Sequence, residues 1–184
     1  MKLNELTITE YMNELAAKKS APGGGSALGL VLETAVCLSL MVCNFTIQKK
    51  GYENVQEKII KISEELVEIR NEAHFLISED GVCYQNLMDA YRSKDAEVIS
   101  KASIYSCQIP YRLYCAAKRC ENIAEELAKI GNKNLLSDTK IVIDLCRSCY
   151  HGCLLNIECN VNQILEEETK QFFKNIVDEF KIGA

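Results

Sequence analysis

Two carboxylates and a set of amides sit where a helical chain would ordinarily place apolar side chains. Asp80 falls in the seam Val55, Ile59, Ile62, Leu66, Ile69, Ala73, Leu76, Asp80, Cys83, Leu87, whose steps alternate between four and three. A charge in such a seam is costly unless it is paired or put to work. Asp138 opens a second stripe, Asp138, Val142, Cys146, Cys149, Cys153, Asn156 and Asn160. Asparagine inside a helix competes for backbone hydrogen bonds, so two on one packed face point to a polar pocket or an interhelical contact. Asn44 and Asn134 extend the amide set. Carboxylates with amides can bind a polar heterocycle and move its protons. The same residues leave a plainer alternative open, in which the helix breaks at Asp80-Gly81 and Asp80 merely caps a second segment.

A third feature is the run Pro22-Gly23-Gly24-Gly25-Ser26. Its glycines allow a tight turn and a close approach to a partner, and Ser26 is a good N-cap for the helix that follows. A helix start of this kind presents free N–H groups and can hold an anion. It can equally be a tight loop entering a core helix. No Walker loop, Rossmann fingerprint or usable Ser-His-Asp pattern is visible. His74 and His151 lie off the polar stripes.

The elements that must position these groups are helices. The chain has 184 residues with only two Pro and nine Gly, and its long runs of Leu, Ile, Ala, Glu and Lys predict an all-α protein. We expect one domain over residues 1–184, a bundle of about five to six long antiparallel helices. Thr7 with Glu10 reads as a capping box opening a short first helix. The second runs from about Ala27 to Gln48, is apolar on nearly every side, and reads as a core helix rather than a membrane span, since it carries Glu33, Thr34, Ser39 and Asn44. The third runs from about Glu53 to Arg92. The fourth covers Asp95 to Ile130 with a kink or short break after Gln108, because Pro110 follows. Ser137 or Asp138 caps the fifth, which reaches about Leu165, and the last covers Glu166 to Ile182. The net charge of −5 disfavours nucleic acid as a partner. With no apolar leader at Met1-Lys2-Leu3, the chain is expected in the cytoplasm. The ten cysteines read as reduced thiols packing as small hydrophobes.

Ala21-Pro22-Gly23-Gly24-Gly25-Ser26-Ala27 resembles the signature of the cyclodeaminase/cyclohydrolase family, which comprises the C-terminal domain of formiminotransferase-cyclodeaminase and stand-alone methenyltetrahydrofolate cyclohydrolases. The likeness continues in order through Met41 to Thr46 with Lys49-Lys50, Glu79-Asp80 with Tyr84, Met88 to Arg92, Ile109-Pro110, Gly131-Asn132 with Asn134, Ser137-Asp138, and Leu155-Asn156 with Asn160. The resemblance implies an all-α homodimer that binds a tetrahydrofolate derivative as substrate near the subunit interface and needs no metal. It implies cyclisation of formiminotetrahydrofolate with release of ammonia, hydrolysis of methenyltetrahydrofolate, or both. A formiminotransferase would be a separate partner. On this reading Asp80 or Asp138 transfers the proton. Asn156 and Asn160 fix the pterin or the bridge carbon. Pro22, Gly23, Gly24, Gly25 and Ser26 take an anionic part of folate, assisted by Lys49 or Lys50, with Asn44, Asn134 and Ser137 completing the binding set. The alternative is a non-catalytic helical module of the same fold.

Overall fold

A computed structural model describes residues 2–183. Among them are six α-helices: α1 (Ile8–Ala16), α2 (Gly24–Asn44), α3 (Gln56–Ser93), α4 (Ala96–Ile130), α5 (Leu136–Asn160) and α6 (Glu167–Gly183). Short connections make α2 to α5 run alternately up and down. The α2 start, the α3 end, the α4 start and the α5 end therefore meet at one end of the bundle. The other three ends and the start of α5 meet at the opposite end.

Local chemistry accounts for the element boundaries. Thr7 caps α1, its hydroxyl accepting the Glu10 N–H while the Glu10 carboxylate accepts the Thr7 N–H. The predicted seam of α3 is buried at Ile59, Ile62, Leu66, Ile69, Ala73, Leu76 and Cys83, which pack with α2, α4 and α5 around one core. Neither Gly81 nor Asp80 interrupts α3. The close approach of α2 to α3 rests on Gly29, where a methyl group would stand 2.9 Å from Ile77 Cγ1. A smaller core joins α4 and α5 to α6, with Phe173 and Val177 against Leu154, Ile157 and Ile164.

Several expected boundaries are corrected. Helix α2 starts at Gly24 with Gly23 as N-cap, so two glycines and Ser26 form its first turn. It stops at Asn44 rather than Gln48. Helix α4 continues unbroken through Pro110, because its flanks are packed on both sides. Helix α5 begins at Leu136 with no side-chain cap, so Ser137 and Asp138 lie inside its first turn. By length and composition α2 is long and apolar enough to cross a membrane. In the fold it lies between α3, α4 and α5. Seven of the cysteines are buried, and burial pushes the Cys43 and Cys107 thiols up to about 12. They pack as neutral hydrophobes.

Candidate active site

At the end of the bundle where α2 begins, a cavity of about 430 Å³ opens between four helices. Its lining includes Gly23, Gly24 and Gly25 from the α2 start, Asp80, Tyr84 and Tyr91 from α3, Ser106 and Pro110 from α4, and Asn156 and Asn160 from α5. The α3 residues recur at i, i+4 and i+11, one face of a helix.

Asp80 is the central group. Its Oδ2 accepts the Ser26 N–H at 2.9 Å, so the carboxylate serves as the cap that N-cap Gly23 cannot provide. Gly25 makes room for it: a methyl group there would come within 2.6 Å of the Asp80 carboxyl carbon. Burial pushes the Asp80 carboxyl above its ordinary value, and the Ser26 N–H partly offsets this. A half-buried carboxyl held at a helix N-terminus, facing a cavity and raised in pKa, is suited to take and return a proton.

The Ser26 side chain does not reach the cavity. It is fully buried, and its hydroxyl pairs with the Tyr11 hydroxyl at 2.9 Å. Its contribution to the site is its backbone N–H, and the expectation that it binds an anion directly is corrected. Asn160 donates through Nδ2 to the backbone carbonyl of Asn156 at 3.1 Å, which orients the Asn160 amide at the cavity wall. Cys83 Sγ lies 3.2 Å from the Ser106 hydroxyl beneath them.

The predicted site residues therefore divide. Gly23, Gly24, Gly25, Asp80, Asn156 and Asn160 share the cavity. Pro22 is buried just before it. Asn44, Lys49, Lys50, Asn134, Ser137 and Asp138 lie at the far end, about 30 Å away along α2 and α5. There Asn132 donates from its backbone to Thr46 Oγ1 at 3.0 Å and from its side chain to the Phe45 carbonyl at 3.1 Å. The Lys133 N–H donates to the Tyr52 hydroxyl at 3.0 Å. That second cluster brings the α2–α3 loop against the start of α5. Within one protomer Asp80 and Asp138 cannot act on the same atom, because a bundle that alternates direction puts position 138 and position 80 at opposite ends. Sequence reasoning missed Tyr84 and Tyr91 as walls of the site, although their helical spacing from Asp80 was a usable signal.

Residues 7–179 match the family model described as formiminotransferase-cyclodeaminase. The chain belongs to this family. Among relatives, it is 26% identical over 163 residues to a methenyltetrahydrofolate cyclohydrolase of Methylorubrum extorquens, covering 84% of this chain and 78% of that protein. It is 19% identical to the formimidoyltransferase-cyclodeaminase of Mus musculus, covering 99% of this chain but only 36% of that longer protein. The crystal structure of a formiminotetrahydrofolate cyclodeaminase from Thermotoga maritima superposes with a TM-score of 0.92 at 30% identity, over 98% of this chain and 90% of that one. That structural likeness extends through all the helices that build the cavity.

Proposed function

We propose that this protein is a folate one-carbon enzyme acting at the carbon that bridges N5 and N10, as a methenyltetrahydrofolate cyclohydrolase, a formiminotetrahydrofolate cyclodeaminase, or both. The observation that carries the reading is Asp80, a raised carboxyl held against the family's glycine turn in a cavity walled by two tyrosines and two asparagines. In hydrolysis, water adds to the bridge carbon of the cationic methenyl group. Asp80 takes one proton from that water and returns it to N5 as the carbon–N5 bond breaks, while the remaining hydroxyl proton passes to solvent as the carbonyl of the 10-formyl product forms. In cyclisation, N10 attacks the formimino carbon, and the same carboxyl relays the proton that lets ammonia depart. Both routes pass through a tetrahedral carbon and need positioning plus one proton carrier. Tyr84 and Tyr91 offer flat faces to a pterin, and the asparagine amides offer donors and acceptors to its edge.

The distant cluster finds a use in a homodimer. Helix α2 keeps an uncharged stripe, Ala27, Val31, Thr34, Leu38, Met41 and Phe45, that the fold does not fully cover. Ile141, Leu145, Ser148, Leu155 and Cys159 continue it on α5, and Phe45, Ile141 and Leu155 are 60%, 49% and 54% exposed. A two-fold axis crossing this face near Thr34 and Ser148 would set the partner's Asp138 end beside the first protomer's Asp80 end. Lys49, Lys50 and Asp138 of one copy would then complete the cavity of the other.

The test is the near-ultraviolet band of methenyltetrahydrofolate, whose enzyme-dependent decay above the buffer rate reports hydrolysis. Ammonia release from formiminotetrahydrofolate reports cyclisation. A protein that accelerates neither is not the enzyme described.

A further inference from the structure

Pro110 lies inside α4, and no helix end or break accompanies it. Proline carries no N–H, so the carbonyl of Ser106, four residues earlier, loses its ordinary helical donor, and the proline ring pushes against that carbonyl. Elsewhere on a packed helix such a group would be a liability, since buried carbonyls are almost always paired. Ser106 is only 7% exposed, and its hydroxyl is already engaged with Cys83. Both Ser106 and Pro110 line the cavity, on the wall that faces Asp80 and the Asn156–Asn160 pair. The carbonyl that Pro110 deprives of its helical donor thus belongs to a residue of the cavity wall.

We propose that Pro110 exists to leave the Ser106 carbonyl free as a fixed acceptor for an N–H on the heterocycle of the substrate. This rests on the reading of the cavity as a folate site and narrows it. The ligand presents a ring-amide N–H to α4, while its reactive end faces Asp80. An acceptor held by a helix backbone costs no side-chain entropy on binding and cannot rotate to serve as a donor. It therefore selects ring systems that carry a donor at this edge over those that carry an acceptor, because the mismatch would bury two acceptors against each other.

The experiment compares equilibrium binding of two probes, 5-formyltetrahydrofolate and its analogue methylated at the ring-amide nitrogen, to the wild type and to Pro110→Ala and Pro110→Ser. Either substitution restores an N–H at position 110 and lets α4 close its own bond to Ser106. The wild type is expected to prefer the unmethylated probe by about tenfold or more. In both variants this preference should shrink to within about twofold, through weaker binding of the unmethylated probe, with the circular dichroism of the helices preserved. Variants that bind both probes with the wild-type preference overturn the inference while leaving the folate reading intact. A wild type that binds neither probe overturns the inference together with the reading it rests on. If one variant misfolds, the other gives the same comparison, since the two differ in size and agree in the restored N–H.

Discussion

Gly25 and Asp80 occupy one shared space: the carboxyl of α3 fills the volume that any side chain at position 25 would need. The glycine of the turn is therefore a requirement set by the carboxylate, because only a bare Cα lets Asp80 reach the Ser26 N–H. Gly25→Ala is expected to expel the carboxyl from this position. Activity should fall on the order of 100-fold, as for loss of a positioned proton carrier, with helix content retained. Steady-state kinetics alongside circular dichroism checks this; a variant with wild-type kcat and KM would show that Asp80 can work from elsewhere.

Asp80→Asn removes the proton carrier while keeping the shape. We expect kcat to drop on the order of 10² to 10⁴-fold. In the wild type, kcat/KM should rise with pH along a limb lying above the ordinary aspartate value of 3.8, because burial raises this carboxyl. Stability moves the other way. Below 3.8 the group is protonated folded and unfolded, and its burial costs nothing. As pH climbs, the unfolded chain loses the proton first, so stability falls until the folded carboxyl also ionises, and then levels. Denaturant titrations across this window should show the fall in the wild type and its absence in Asp80→Asn.

The proposed dimer makes a quantitative claim about two inactive variants. Asp80→Asn and Asp138→Asn chains, co-expressed in equal amounts, form heterodimers in about half of the dimers. Each heterodimer would hold one cavity with both aspartates intact, so about a quarter of the wild-type rate should return. A mixture no more active than its separate components would show that the two ends of the bundle do not meet between copies. Sedimentation should give a dimer, and Leu38→Glu on the uncharged α2 stripe should shift it toward monomer.

Glycines that set helix spacing should differ in tolerance. At Gly29 a methyl group would meet Ile77 at both its side chain and its Cα, the latter at 3.4 Å. The backbone cannot yield cheaply, so Gly29→Ala should cost about 1–3 kcal/mol, lowering Tm by roughly 2–4 °C for each kcal/mol. At Gly152 the obstacle is the branched end of Leu28, with Cδ2 at 2.6 Å, which can change rotamer. Gly152→Ala should therefore cost less than Gly29→Ala, and thermal melts of the two variants test the order.

Much of this protein is legible in the sequence because helices are written locally. The capping box at Thr7, the seam of α3 and the core stripe of α5 depend on residues three and four apart, and each holds in the structure. The unusual residues were legible too: a carboxylate in a seam and two asparagines on a packed stripe announce a polar site, and Asp80, Asn156 and Asn160 do share one cavity. What the sequence could not settle is which of its polar groups meet. Asp138 shares a helix face with Asn156 but lies at the other end of α5. Ser26 stands in the turn, yet its hydroxyl turns inward to Tyr11. Pro110 reads as a break, but α4 carries it intact between packed neighbours. Those outcomes depend on which helix ends the up-and-down connections bring together and on which side chain arrives first at a buried donor. Periodicity encodes the faces of the rods; only their assembly decides which ends become a site.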